Sequence, residues 1–254
     1  MPIWNIEYYE SLVDRFSSIT DGLDDRLEAI IDGRIAPAVE DIPIGSARHL
    51  NAAVLFFDIR GFTSRTSSND LESLKKALQM LDCLIPMIQR VVFDHGGYVE
   101  KNTGDGVMAI IGAESDEQSA ANNALNVATI SFYVIKNLVN EYLDSVGIDP
   151  VEARIGIDHG RLLLARIGTP KGSASQARSF LTVVGPAANI AHRLQTEVAD
   201  DNEILVGDQI KVNAAEYRQG FFKDRTPADW SWIYERSLQP YRAWHYDAYR
   251  IDPA

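Results

Sequence analysis

Tyr98-Val99-Glu100-Lys101-Asn102-Thr103-Gly104-Asp105-Gly106-Val107-Met108-Ala109-Ile110-Ile111 reads as two short apolar strands around a tight turn. The glycines supply backbone freedom that other residues lack, so the stretch predicts a β-hairpin with Asp105 on its turn. Upstream, Leu71, Leu74, Leu78, Leu81, Ile85, Ile88 and Val92 keep helical spacing from an N-cap expected at Asn69 to the Gly96-Gly97 break, with Pro86 as a candidate kink. Before that helix, Ala52-Ala53-Val54-Leu55-Phe56-Phe57 predicts a buried central strand that places Asp58 at its C-terminal end. Downstream, a second long helix is expected over residues 117–145. Val151, Ala153, Ile155 and Ile157 then alternate with polar or small residues as a half-buried strand does. His159-Gly160 is expected to turn the chain into a partner strand over residues 162–167. Strand, helix, hairpin, helix, strand is the order of a ferredoxin-like βαββαβ unit, an α+β fold whose open sheet carries helices on one face.

Composition bounds the function. The 254 residues, 46% hydrophobic, suffice for one substantial core, and the expected division is a helical lead-in over residues 1–50 and a catalytic domain with its C-terminal extension over residues 51–254. A net charge of −12 disfavours nucleic acid or an anionic membrane as partner, so any phosphate site must be local. The most apolar helical stretch, residues 126–139, is interrupted by Lys136 and too short to cross a bilayer, and the N-terminus lacks a signal pattern. A cytoplasmic protein is expected. Cys83, the single cysteine, sits among Leu81, Leu84 and Ile85 and reads as a reduced thiol inside a core helix.

Two carboxylates, Asp58 and Asp105, come together if their strands are neighbours in the sheet. Such a pair suits Mg²⁺ or Mn²⁺, hard cations that bind one or two carboxylates together with substrate phosphates. Taken singly, each aspartate reads as an ordinary turn residue, since Asp is common at such places. Gly61-Phe62-Thr63-Ser64 follows Asp58 as a loop ahead of a helix and can offer backbone N–H groups to phosphate. Further on, Val183-Val184-Gly185-Pro186-Ala187-Ala188-Asn189-Ile190-Ala191-His192-Arg193-Leu194 reads as strand end, turn and helix, with Pro186 near the helix start. Asn189 and Arg193 are four apart and share one helical face, which is either a solvated polar surface or a grip for a ribose and a developing negative charge.

Phe57-Asp58-Ile59-Arg60-Gly61-Phe62-Thr63, the Glu100 to Ala109 segment, Arg154-Ile155-Gly156-Ile157-Asp158-His159-Gly160 and the Gly185 to Leu194 segment resemble, in order and spacing, the successive signatures of class III adenylyl and guanylyl cyclases. The resemblance covers residues 51–206 and implies closure of a nucleoside triphosphate to a 3′,5′-cyclic nucleotide with release of pyrophosphate. It makes Asp58 and Asp105, with the backbone carbonyl of Ile59, the ligands of two divalent metal ions, and Gly61, Phe62 and Thr63 a phosphate-binding turn. Arg154 falls where the family grips the triphosphate tail, Asn189 where it orients the ribose and Arg193 where it stabilises transition-state charge. The five histidines receive no catalytic role; His192 reads as a packing or dimer contact. The resemblance also implies a homodimer with two composite sites, the aspartates from one subunit and Asn189 and Arg193 from the other.

Lys101 aligns with the family's base-reading lysine and Thr182 with its partner position. That pair satisfies adenine, and equally uracil, whose edge offers two carbonyl acceptors and one N–H donor. The chain departs from ordinary bacterial adenylyl cyclases in its Pro186-Ala187-Ala188 turn and in lacking the C-terminal Lys-Gly motif, which is replaced by the Trp- and Tyr-rich residues 230–249; Arg236 is the candidate substitute cation. With the short lead-in, these features look like the pyrimidine cyclases of the Pycsar antiphage system, which implies UTP as substrate and cyclic UMP as a signal read by a separate effector. An adenylate cyclase making cyclic AMP and a silent nucleotide-binding homology module are the alternatives. A diguanylate cyclase or polymerase is disfavoured by the acidic charge and the missing Gly-Gly-Asp/Glu-Glu-Phe turn.

Overall fold

The computed structural model describes residues 4–21, 47–68, 70–102, 104–113, 115–168, 179–230 and 241–247. Residues 22–46 of the expected lead-in, Asn69 and Arg236 lie outside the described residues.

Helix α1 (Ile6–Thr20) is capped by Asn5, whose side chain accepts the Tyr8 N–H at 2.9 Å. Strand β1 (Ala47–Ile59) begins ahead of the expected 52–57 run and leads through a short helix α2 (Phe62–Arg65) to helix α3 (Leu71–Asp94), whose N-cap is Asp70. The hairpin follows as β2 (Gly97–Asn102) and β3 (Gly106–Ile111), with Gly104 at φ +93°, a left-handed conformation that glycine adopts without strain. The expected helix over 117–145 is one continuous rod made of α4 (Glu117–Val134), a π-turn (Ile135–Val139) and α5 (Asn140–Ser145).

Strand β4 (Ala153–Gly168) corrects the sequence reading. The chain does not turn at His159-Gly160; it runs straight through, because β1 is long enough to pair with β4 from Ala47↔Ala165 to Ile59↔Ala153. Gly160 faces Ala52 in that ladder, and the partner of the far end of β4 is β5 (Ser179–Val184). The four strands of the unit lie in the order β2-β3-β1-β4, all antiparallel, as a ferredoxin-like unit requires. The C-terminal extension continues the sheet with β6 (Ile204–Gly207), parallel to β4, and then β8 (Ala243–Tyr246) and β7 (Phe222–Asp224).

Alternation along β1 divides its side chains between two cores. Ala53, Leu55, Phe57 and Ile59 join Met80, Leu84, Ile88, Leu125 and Ala128 of the long helices in the main core, which also takes Tyr8, Leu12 and Phe16 of α1. Cys83 is buried in this core, where burial pushes its thiol up to about 12 and leaves it unreactive. The other face is not bare, as a one-sided arrangement would have it. Ala52, Val54, Met108 and Ile110 pack under Ala187, Ala188 and Ala191 of helix α6 (Pro186–Arg193), which begins with Pro186 in its first turn. Small alanines let this helix lie close to the strands.

A third cluster ties α6 to the extension: Ile190 and Leu194 pack with Leu205, Tyr241 and Ala243. At its edge the Tyr241 hydroxyl donates to Asp158 Oδ1 at 2.6 Å, while Oδ2 of this fully buried carboxyl has no hydrogen-bonding side chain or backbone partner among the described residues by distance and angle. Burial pushes Asp158 up to about 8, so the folded chain holds this proton more tightly than the unfolded chain, whose carboxyl titrates near roughly 3.9. The stability tied to the proton is therefore complete below about pH 4 and lost as pH rises through about 8. Asp158→Asn keeps an acceptor for Tyr241 and removes the titration. Thermal melts between pH 5 and pH 8 should show the variant gaining on the wild type by roughly 3 °C per pH unit or more; parallel curves would contradict a buried neutral acid.

Candidate active site

Asp58, next to last in β1, points away from the main core on the face shared with Val54 and Phe56. Its ladder neighbours are Gly106 on β3 and Arg154 on β4. The hairpin turn brings Asp105 alongside, and its carbonyl accepts the Ile59 N–H at 3.2 Å. The Asp105 carboxyl is raised, first by burial and then by the negative charge of Asp58, with its own backbone N–H and the Arg154 charge acting in the opposite sense. The two carboxylates thus feel one another across the junction of β1 and the hairpin.

Arg154 donates from Nε and Nη2 to Asp58 Oδ2 at 3.2 and 3.1 Å, and from Nη1 to the Thr196 carbonyl at 3.3 Å. Gln195, 3% exposed, donates to the same Asp58 oxygen at 3.1 Å. Gln195 reaches it because the helical segment 186–198 lies directly on β4 at Gly156. A Cβ there would stand 2.1 Å from the Ala191 carbonyl oxygen and 2.6 Å from the Gln195 nitrogen, so only glycine admits this approach. The π-turn Leu194–Val198 that ends α6 carries Gln195 under the segment and Glu197 outward.

Asn189 and Arg193 project from the outer face of α6 and border the same open cleft as Asp58, Asp105 and Arg154, a space of about 800 Å³. Phe56, Met108, Thr182 and Val183 form its apolar floor and side, and His192 meets Phe56 edge-on at 5.2 Å. Glu197 grips Arg193 through Nε and Nη2, at 2.7 Å for the closest pair. Three carboxylates (Asp58, Glu100 and Asp105), two guanidinium groups and two amides around one cleft are suited to a polyanion with bound cations.

Residues 44–225 match the adenylate and guanylate cyclase catalytic domain. The chain belongs to that family. It is 26% identical to an adenylate cyclase of Anabaena cylindrica over 63% of this chain and 30% of that protein. It is 29% identical to a uridylate cyclase of Burkholderia cepacia over 72% of this chain and 73% of that protein. It spans less than half the length of the adenylate cyclases it matches first. Among solved structures, the adenylyl cyclase CyaB of Pseudomonas aeruginosa superposes with a TM-score of 0.64 at 21% identity, covering 82% of this chain and 97% of that one, a likeness of fold.

This cyclase domain brings together five of the site residues expected from sequence, Asp58, Asp105, Arg154, Asn189 and Arg193, and places Thr182 beside them. The fit to hard cations is that of a carboxylate pair. Among the described residues no three His, Cys, Asp or Glu side chains gather as a metal cluster, so other oxygens must complete any coordination sphere. Ile59 turns its side chain into the main core and can contribute only backbone. Phe62 also packs against that core, and neither it nor Gly61 and Thr63 is among the described residues that wall the cleft. Lys101 pairs with Met108 on β3 just past a bulge at Glu100, and Glu100 lines the cleft. The side chain of Lys101 and all of Arg236 fall outside the described residues.

Gln195 and Glu197 were not expected at the site. Gln195 carries a readable signal: it continues the stripe Ala187, Ala191, Leu194 at helical spacing, where a polar residue must find a buried partner. No helix of the described residues is long and apolar enough to cross a membrane.

Proposed function

We propose that this chain is a nucleotidyl cyclase that converts UTP to cyclic UMP and pyrophosphate. The observation that carries the reaction class is the carboxylate pair of Asp58 and Asp105 at the junction of β1 and the hairpin, with Arg154 opposite Asp58 on β4. In the reaction the ribose 3′-oxygen attacks the α-phosphorus in line, the new O–P bond closes the ring, and the bond to the bridging oxygen breaks as pyrophosphate leaves. Asp58 and Asp105, with the Ile59 carbonyl, would hold two divalent cations, Mg²⁺ or Mn²⁺, which when bound lower the pKa of the attacking hydroxyl and offset triphosphate charge.

The remaining work falls to side chains of the chain itself. Asn189 orients the ribose, and Arg193 stabilises charge that develops on the phosphoryl oxygens. Arg154, paired with Asp58 in the structure, exchanges that carboxylate for the triphosphate tail when substrate enters. Gly61, Phe62 and Thr63 supply backbone N–H groups, Lys101 and Thr182 read the base, and Arg236 adds a cation.

A homodimer with two composite sites is supported by the arm formed by β4 and β5. Leu163 pairs with Val184 and Ile167 with Phe180 on one face of this two-stranded ribbon, and all four are more than 40% exposed. Thr182, between them on the same strand, lines the cleft, so a second subunit covering the arm would sit at the site's edge.

The pyrimidine base is supported by the likeness to the Burkholderia uridylate cyclase, which extends over most of both chains. With it we propose cyclic UMP as a messenger of antiphage defence, read by a separate effector. The test supplies purified protein and Mn²⁺ with each of the four nucleoside triphosphates and identifies products by mass. Cyclic UMP should dominate; cyclic AMP as the main product would reject the base assignment and leave the reaction class standing.

A further inference from the structure

The C-terminal extension puts an aromatic ring against the guanidinium of Arg193. The Arg193 Cζ lies 4.7 Å from the centroid of the Trp230 ring, and the Glu197 carboxylate holds the Nε and Nη2 edge of the same group at 2.7–3.0 Å. Trp230 is itself seated: it packs against the cluster of Ile190, Leu194 and Tyr241, and its backbone N–H donates to the Pro227 carbonyl at 3.0 Å. It is not among the described residues that wall the cleft, and it meets the site through Arg193.

Arginine has a long, freely rotating stem, and a charge that stabilises a transition state must already stand in place when the bond changes occur. Glu197 alone fixes an edge and permits the guanidinium to swing about that contact. An indole ring 4.7 Å from Cζ restricts that swing, and the attraction of cation to ring favours keeping the guanidinium over it. The elements that supply these contacts are unrelated in sequence: Glu197 belongs to the same helical segment as Arg193, whereas Trp230 arrives from beyond β7. We infer that Trp230 is a positioning residue for Arg193, and that the aromatic C-terminal extension thereby serves the reaction as well as the sheet. This rests on the role given to Arg193 under the proposed function.

Trp230→Leu keeps apolar bulk and removes the ring; Trp230→Phe keeps a ring. The inference predicts that Trp230→Leu lowers kcat on the order of tenfold with KM within about twofold of wild type, and that Trp230→Phe recovers most of the loss. An independent readout is the Arg193 Nε–H resonance. It should be shifted by the ring current in the wild type and in Trp230→Phe, and should return to an ordinary position in Trp230→Leu. A folded Trp230→Leu enzyme with wild-type kcat would overturn the inference. So would a Trp230→Phe variant as slow as Trp230→Leu, or a loss of kcat that merely tracks a lowered melting temperature. Arg193→Ala assayed alongside separates the two levels: full activity there defeats the role of Arg193 itself, whereas an inactive Arg193→Ala beside an undiminished Trp230→Leu defeats only the part given to Trp230.

Discussion

Asp58→Asn is expected to leave less than about a thousandth of wild-type turnover while the protein stays folded. Asparagine keeps the shape of the side chain and an oxygen that accepts from Arg154 and Gln195, so the contacts that seat the 186–198 segment survive. What disappears is the negative charge, and with it half of the carboxylate pair proposed to bind cations. The main core is untouched, because Asp58 faces the opposite side of the sheet from Phe57 and Ile59. Asp58→Ala should be equally inactive but less stable, since it leaves the largely buried Arg154 without its carboxylate. Turnover measured beside near-ultraviolet circular dichroism checks both statements. Undiminished turnover in Asp58→Asn would remove this residue from the chemistry.

The second large effect is a recovery. Asp58→Ala and Arg193→Ala should each be inactive, and mixing them under conditions that let subunits exchange should restore activity to about a quarter of wild type. Random pairing makes about half the dimers mixed, and each mixed dimer holds one intact site of two. All four groups border one cleft within a single chain, so a site complete in one subunit is the specific competing arrangement. In that arrangement no mixture of the two variants regains activity. The exposed apolar face of the β4–β5 arm favours the shared site, and the mixing experiment decides between them.

Periodicity made the long helices and the hairpin readable from sequence, because apolar spacing and turn glycines are local signals. The error at His159-Gly160 has the same origin. A glycine after a polar residue suggests a turn, yet whether a strand continues depends on the length of its neighbour, and β1 supplies partners through Ala165. Helix α6 on the second face was equally hidden, since the close approach at Gly156 is a tertiary fact that a glycine in an alternating strand only hints at.

At the site, Asp58, Asp105, Asn189 and Arg193 were readable because their motifs are contiguous. Gln195 lay under the segment whose outer face drew attention, and Trp230 joins Arg193 through a fold of the chain that no spacing encodes. The Arg154–Asp58 pair was likewise invisible: opposite positions on two antiparallel strands become neighbours only once the register is known.

The central claim, that this cleft closes nucleoside triphosphates into rings, is tested most directly by the stoichiometry of products. Purified protein incubated with Mn²⁺ and nucleoside triphosphate should yield 3′,5′-cyclic nucleotide and pyrophosphate in equal amounts, and the Asp58→Asn protein should yield neither. Recovery of intact triphosphate from the wild type, or its conversion to diphosphate and inorganic phosphate, would contradict the account.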